Sequence, residues 1–279
     1  MTAVSAPGSS QGPSDDSKRV ARSRPVVASC FAIGLIALGG VAGAGRHALW
    51  QVVRACVADY QTTGAPYPCL AVDLSGGVDR GAVVLRPPFG APDTILSPTR
   101  AVVGVEDPWL QSPTAPNYFA AALQARAFVR KPDGSAPKLD EVALAANSRF
   151  ARTQDQLHIH VGCASPRIRQ ALRLLAASQK VGDWTPIGAL GPSSELWGMR
   201  AGRPNLDQIE PFRLAAQRFA AEDADLSRLT IAAVGMHVDD HDEMALLVVD
   251  DRGAENPDFP ADEIVDSRCR AFRGSAAAR

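Results

Sequence analysis

Residues 26–45, VVASCFAIGLIALGGVAGAG, form an unbroken run without a charged side chain. At about 1.5 Å per residue, a helix of this length spans the roughly 30 Å hydrocarbon core of a bilayer. Basic residues that precede a membrane helix tend to stay on the cytoplasmic side. Here they are Lys18, Arg19, Arg22 and Arg24. We therefore predict a single transmembrane anchor over residues 26–45 in the inner (cell) membrane, with everything after Arg46 on the extracytoplasmic side.

The chain before this run, residues 1–25, is rich in Ser, Gly, Pro and charge and has almost nothing to bury. Such a segment does not offset its ordering entropy, so we predict a disordered cytoplasmic tail. The alternative for the whole N-terminus is a cleavable signal peptide, because Ala42-Gly43-Ala44 resembles a small-residue cleavage site. Both interpretations export the remaining domain.

Residues 46–279 show no internal repeat and no long linker, and we predict one catalytic domain. Short strand-like runs alternate with helical runs, among them strands at CLAVDL, GAVVLRP, DTILSP, RAVVGVE, EVALAAN and QLHIHVGC. Helices are predicted over residues 47–60, 116–131, 167–180 and 210–221, and a hairpin over 229–251 with an acidic turn at 239–243. This order favours an α+β fold with a largely antiparallel sheet and flanking helices. The net charge of −1 gives no field that would attract nucleic acid.

Four cysteines lie in the exported part, where the environment is oxidising. Four cysteines allow three pairings. Cys56 and Cys69 flank a short loop and form the natural local pair, which would leave Cys163 for Cys269. Free buried thiols and a zinc site are the alternatives, although no Cys-x-x-Cys spacing supports zinc.

The segment TQDQLHIHVGC places two of the five histidines one residue apart in a strand-like run. Because side chains alternate across a strand, Leu157, Ile159 and Val161 would face the core. Gln156, His158 and His160 share the opposite face together. Neutral imidazole is a nucleophile toward phosphorus and an acid or base near neutral pH. The preceding loop adds donors suited to phosphate oxygens, namely Asn147, Ser148, Arg149, Arg152, Thr153 and Gln154.

Two other interpretations of the histidine pair remain open. The pair can be solvated surface of the sheet. It can also hold a metal ion, with His237 or His241 of the predicted hairpin as a third ligand, although no carboxylate follows the pair closely.

The stretch LAANSRFARTQDQLHIHVGCASPRIR resembles the signature of bacterial CDP-diacylglycerol pyrophosphatases, a membrane-anchored branch of the histidine-triad superfamily. The hydrophobic N-terminus, the Cys56–Cys69 loop, the run LSPTRAVVGVEDPWLQSPTAPNYFAAALQAR and Cys269 extend the resemblance over most of residues 50–270. The resemblance implies a histidine-triad-like (HIT-like) sheet. Superfamily members carry three alternating histidines, and here Gln156 stands at the first of these positions.

The resemblance also implies roles and a reaction. His158 is the expected nucleophile, His160 the phosphate-binding residue, and Asn147 and Thr153 match positions that orient the site and contact phosphate. The implied reaction is hydrolysis of CDP-diacylglycerol in the membrane to CMP and phosphatidate, through a cytidylyl-histidine and without a metal or other cofactor. Homodimers are common in the superfamily. Alternatives are transfer of the intermediate to an acceptor other than water, and an exported binding module without catalysis.

Overall fold

The structure is a computed structural model that describes residues 45–87, 93–177, 180–191, 194–220, 225–251 and 261–272. The predicted tail and all but the last residue of the predicted anchor lie outside these residues. No helix in the described ranges has both the length and the apolar character needed to cross a membrane. All described residues belong to one compact unit, Gly43–Arg279.

The described residues form one antiparallel sheet of ten strands with four α-helices, as the sequence predicted in outline. The strands are β1 (Ala71–Asp73), β2 (Ala82–Leu85), β3 (Thr94–Pro98), β4 (Val142–Ala146), β5 (Ile159–Ala164), β6 (Thr185–Gly188), β7 (Ser194–Arg200), β8 (Leu229–Val238), β9 (His241–Asp251) and β10 (Val265–Asp266). The helices are α1 (Ala48–Thr63), α2 (Tyr118–Ala125), α3 (Pro166–Ala176) and α4 (Pro211–Phe219).

Strand β5, which continues the histidine segment, lies in the interior of the sheet. The strand order is β1-β2-β3-β5-β4-β8-β9-β7-β6, so β5 has β4 on one side. Its other side is shared, because β3 pairs with residues 159–161 and β10 pairs with residues 163–164. Three sequence-distant segments therefore meet around one short strand.

The two faces of the sheet are buried against different helices. Leu157, Ile159 and Val161 belong to the larger core, which also contains residues of α2 and α4. On the opposite face, Ala143 and Ala145 of β4 pack in a second core with α3. His160 stands opposite Ala145 in the β4–β5 pair and therefore projects from this second face.

Several predicted helices, strands and turns differ from those in the structure. The run RAVVGVE is an irregular loop rather than a strand, because its backbone bonds to Gln156 and Leu157 and not to a neighbouring strand. Helix α2 is shorter than the predicted range 116–131, because it is capped by Asn117, whose Oδ1 accepts the amide of Ala120, and ends at Ala125. The acidic turn is only Asp239-Asp240, since β9 already begins at His241. Strands β6 and β7 were not predicted at all.

Both expected cysteine pairs are present as disulfides. Cys56 of α1 is bonded to Cys69, and Cys163 of β5 is bonded to Cys269. The first disulfide fastens α1 to the segment that leads into β1. The second fastens the turn after β10 to the strand that carries His160.

Candidate functional site

The two histidines lie side by side on one face of the sheet. His158 immediately precedes β5 and His160 is its second residue, and both side chains are half-buried. Their ring centroids are 5.1 Å apart, with the ring planes inclined by 54°. The alternation of the segment thus brings two imidazoles close enough to contact the same small group.

The hydrogen bond of His158 fixes its tautomer. Its Nδ1 lies 2.8 Å from the backbone carbonyl oxygen of Gln156. A carbonyl oxygen only accepts hydrogen bonds, so Nδ1 carries the proton and Nε2 keeps its lone pair. Burial, and next the neighbouring His160, lower the pKa of His158 to about 4. The ring is therefore neutral near pH 7 and presents a nucleophilic nitrogen.

His160 has no partner for either ring nitrogen among the described residues, and both nitrogens are closed to solvent. Burial lowers its pKa, against an opposing effect of the Asp93 carboxylate. Asp93, at the start of β3, and Asp262, just before β10, have ligand atoms within 4.8 Å of a His160 ring nitrogen and of each other. Burial and the charge of Asp93 raise the pKa of Asp262. Neither aspartate was among the residues predicted from the sequence.

Gln156 is buried and its side chain binds the loop after β3. Its Nε2 donates to the carbonyl oxygens of Pro98 and Arg100, at 3.0 Å each, and to Ser97 Oγ at 3.3 Å. Its Oε1 accepts the amide of Val102 at 3.3 Å. The Gln156 side chain thus holds the loop that flanks the histidines, while its backbone carbonyl orients His158.

Two of the predicted phosphate contacts lie at the end of β4 and support the backbone. Asn147 is buried, and its Oδ1 accepts the amide of Ala261 at 2.5 Å. Ser148 is buried, its amide donates to Thr230 Oγ1 and its Oγ accepts the amide of Ala151. Asn147 therefore ties the segment that carries Asp262 to the sheet, and Ser148 shapes the turn that follows.

The other predicted contacts occupy the loop between β4 and β5. Arg149 and Thr153 are exposed. Gln154 is half-buried, and its Oε1 accepts the amide of Leu49 at 2.9 Å. Gln154 thus attaches the start of α1 to the loop that leads into the histidine segment.

A network of ion pairs stiffens the same loop. Buried Arg152 donates to both carboxylate oxygens of Glu106, at 2.7 and 2.8 Å, and lies 3.4 Å from Asp155 Oδ1. Arg46 donates to both oxygens of Asp155, at 2.7 Å each. Hydrogen bonding from Arg46 is the main reason that the pKa of Asp155 is lowered to about 2. Glu106 and Asp155 were not predicted, since nothing in the sequence pairs Glu106 with Arg152 or Asp155 with Arg46, which lie 46 and 109 residues away.

A cavity of about 530 Å³ is lined by Asp93 and Asp262, the two aspartates whose carboxylates lie near His160. Its other side is formed by the turn after β10, which carries Arg268 and Arg270. The Asp266 carboxylate accepts the backbone amides of both arginines and holds this turn in shape. Within the described part of the chain, neither guanidinium makes a hydrogen bond or an ion pair. A volume of this size is typical of small-molecule sites.

The distant histidines do not join this group. Nδ1 of His237 lies 2.7 Å from Asp242 on the β8–β9 hairpin, and His241 lies near Asp240 and Glu243. Among the described residues, the potential metal ligands grouped with His160 are Asp93 and Asp262. The prediction that His237 or His241 supplies a third ligand was therefore wrong.

Comparison with known proteins gives consistent matches across this region. A protein-family model described as CDP-diacylglycerol pyrophosphatase matches residues 44–273. The chain is 32% identical over 231 residues to the CDP-diacylglycerol pyrophosphatase of Yersinia pestis, covering 81% of this chain and 84% of that protein. It is 32% identical over 226 residues to a probable CDP-diacylglycerol pyrophosphatase of Mycobacterium leprae (strain TN), covering 80% of each. All described residues lie within the region that the family model matches.

Proposed function

The chain belongs to the CDP-diacylglycerol pyrophosphatase family, and from this premise we propose that it hydrolyses the diphosphate bond of CDP-diacylglycerol to CMP and phosphatidate. The observation that carries the proposal is the hydrogen bond between His158 Nδ1 and the Gln156 carbonyl oxygen. It leaves Nε2 unprotonated on the face shared with His160, which is what attack on phosphorus requires.

In the first step the Nε2 lone pair of His158 forms a bond to the phosphorus on the cytidylyl side. The bond from that phosphorus to the bridging oxygen breaks, and its electron pair leaves with phosphatidate. The Nδ1 proton stays on the ring and donates to the Gln156 carbonyl oxygen, so the positive charge that develops on the imidazole is stabilised. His160, with a ring centroid 5.1 Å from that of His158, contacts the phosphate on the leaving-group side.

In the second step water attacks the phosphorus of the cytidylyl-histidine. The phosphorus–nitrogen bond breaks, CMP leaves, a proton passes to solvent and His158 is neutral again. No redox partner is needed, because each step exchanges one bond at phosphorus for another. A histidine-triad-like arrangement of the sheet fits this double displacement, with Gln156 serving as a structural residue at the first triad position.

The loop residues divide into two roles within this proposal. The exposed side chains of Arg149 and Thr153 are free to meet the substrate phosphates. Asn147, Ser148 and Gln154 act through the backbone groups that they hold. The predicted substrate contact is thus concentrated on two side chains, and the other three position the loop.

The location of the substrate supports the predicted anchor. The acyl chains of CDP-diacylglycerol stay in the bilayer, so an enzyme that acts on it works at the membrane surface. An anchor over residues 26–45 ends next to Arg46, and Arg46 is ion-paired to Asp155, three residues before His158. We propose that this anchor keeps the catalytic domain on the extracytoplasmic side of the membrane.

Product analysis with the full chain in detergent or vesicles tests the proposal. Purified protein with CDP-diacylglycerol should release CMP and phosphatidate in equal amounts, and mass spectrometry should detect a cytidylyl adduct on His158 after rapid quenching. His158→Ala should lose at least about 10³-fold in kcat, because the nucleophile is removed. Exposed His47→Ala is the matched control and should keep normal turnover.

Full turnover by His158→Ala would overturn the role of His158. Release of the cytidylyl group to an added alcohol in preference to water would show a transferase instead of a hydrolase. Binding of the substrate without any product from the wild-type protein would show a binding module.

A further inference from the structure

His160 of the histidine pair and two aspartates near it have metal-ligating atoms that no described residue engages. His160 has two buried ring nitrogens without a hydrogen bond. Asp93 and Asp262 make no hydrogen bond or ion pair with any residue in the described ranges. One ligand atom from each of the three lies within 4.8 Å of the other two. Buried polar atoms normally have partners, so the two ring nitrogens of His160 are the atoms that require one.

The fold brings these residues together through the pairing of β5. Asp93 directly precedes β3, whose Ile95 stands opposite His160. Asp262 lies in the turn before β10, and β10 pairs with the second half of β5. The Cys163–Cys269 disulfide joins the turn after β10 to β5. The three groups are thus held by paired strands and a covalent bond, and not by one exposed loop.

The charges of this group conflict with the substrate unless something positive lies between them. A diphosphate brings at least two negative charges to His160, and two carboxylates already stand there. Like charges at such distances repel, and this repulsion opposes binding of the diphosphate. A divalent cation removes the conflict, because it binds the carboxylates and the diphosphate oxygens at once.

We propose that Asp93, His160 and Asp262 form a binding site for a divalent metal ion that contacts the diphosphate of the substrate. Two carboxylate oxygens and one imidazole nitrogen suit Mn²⁺ well, since carboxylates favour Mn²⁺ and Mg²⁺ and imidazole favours later transition metals. The site rests on the proposed function for its substrate, but it goes beyond the two-histidine chemistry, which uses no metal.

The geometry leaves room for the ion and for its remaining ligands. Two atoms bound to one ion at about 2.1 Å each are at most about 4.2 Å apart, and the three ligand atoms already lie within 4.8 Å of one another, so only small side-chain movements are needed. Asp262 is exposed, and rotation of its side chain suffices. The adjoining cavity of about 530 Å³ provides the entry path and space for phosphate oxygens, with Arg268 and Arg270 on its far side.

Metal binding also determines which ring nitrogen of His160 carries the proton. When one ring nitrogen binds the ion, the proton resides on the other nitrogen, which then donates a hydrogen bond. His160 would in this way bind the cation with one nitrogen and a phosphate oxygen with the other.

Titration of the full-length protein with Mn²⁺ alone tests the site without reference to activity. Calorimetry or the electron paramagnetic resonance signal of free Mn²⁺ should show one ion bound per chain. Asp93→Asn and Asp262→Asn should each weaken binding at least about tenfold, since loss of supporting groups alone costs 10- to 100-fold. Asp207→Asn, an exposed aspartate outside the group, is the matched control and should bind as the wild type does.

Turnover measured in parallel separates this site from the proposed function. Chelation with EDTA should reduce CMP release and Mn²⁺ should restore it, whereas His158→Ala should bind Mn²⁺ normally and release no CMP. Turnover with no Mn²⁺ binding and no effect of EDTA would overturn the metal site and leave the hydrolase intact. Mn²⁺ binding that depends on the two aspartates, without CMP release, would support the metal site and overturn the hydrolase.

Discussion

The interactions of Gln156 predict that this side chain matters chiefly for stability. Replacement by methionine keeps the length and approximate volume of the side chain but removes its four hydrogen bonds to the loop after β3. Each such bond contributes about 1 kcal/mol net, and a buried group left without a partner costs about 1–3 kcal/mol. Ser97 keeps its hydrogen bond to the Leu157 carbonyl oxygen. The groups left without a partner are therefore the amide of Val102 and the carbonyl oxygens of Pro98 and Arg100.

The expected cost of Gln156→Met is about 3 kcal/mol in the free energy of unfolding. That is a large part of the roughly 5–15 kcal/mol that stabilises a domain, and it lowers the Tm by about 6–12 °C at this chain length. Urea unfolding followed by tryptophan fluorescence measures it directly. Gln154→Met is the matched control, because Gln154 accepts a single hydrogen bond and should cost about 1 kcal/mol.

The result that refutes this reasoning is specific. A Gln156→Met protein as stable as Gln154→Met, with a KM for CDP-diacylglycerol raised more than tenfold, would show that Gln156 contacts the substrate. The expected result is the reverse, a less stable protein whose KM changes little while it remains folded.

Three further predictions concern the segments around the site. Asp155→Asn should destabilise the protein by about 1 kcal/mol at pH 7. The lowered pKa of Asp155 alone implies roughly 2.4 kcal/mol, but solvent screens the ion pair because Arg46 is half-exposed. As the folded-state pKa lies below the unfolded value, the difference from wild type should persist above pH 4 and vanish as the pH falls to about 2, measured by urea unfolding. Cys163→Ser with Cys269→Ser should cost about 2–5 kcal/mol in the same assay, because that disulfide joins residues 106 positions apart. Gly162→Ala should cost about 1–3 kcal/mol, since its Cβ would stand 2.6 Å from a valine side chain of β10, and equal stability to wild type would contradict this packing.

The sequence predicted the histidine strand because its evidence is local. Alternation of Leu157, His158, Ile159 and His160 needs only the period of a strand, and the structure keeps the two imidazoles on one face. The local disulfide and the cap-and-proline start of α3 are readable for the same reason. Each of these features is specified by residues a few positions apart.

The loop after β3 shows why other predictions failed. Residues 100–106 have the apolar character of a strand, but the Gln156 side chain and Leu157 amide bind the backbone of Val102. A propensity gives no information about a hydrogen-bonding partner more than fifty residues away. For the same reason the sequence did not predict that Asp93 and Asp262 lie near His160, because that proximity arises only when β3 and β10 pair with β5.

The site is therefore assembled at the one place where distant segments converge on β5. Strand β3 pairs with β5 directly, the turn after β10 is joined to β5 by a disulfide, and Arg46 is ion-paired to Asp155 in the loop that leads into β5. In the proposed mechanism the histidine motif positions the nucleophile, and the charged groups proposed to surround the diphosphate come from the converging segments. Substitutions that remove these contacts should accordingly weaken substrate binding, even though neither histidine is changed. The reason is that strand pairing and the disulfide position the charged groups, namely Asp93, Asp262, Arg268 and Arg270. The tautomer of His158 depends only on its hydrogen bond to the Gln156 carbonyl oxygen.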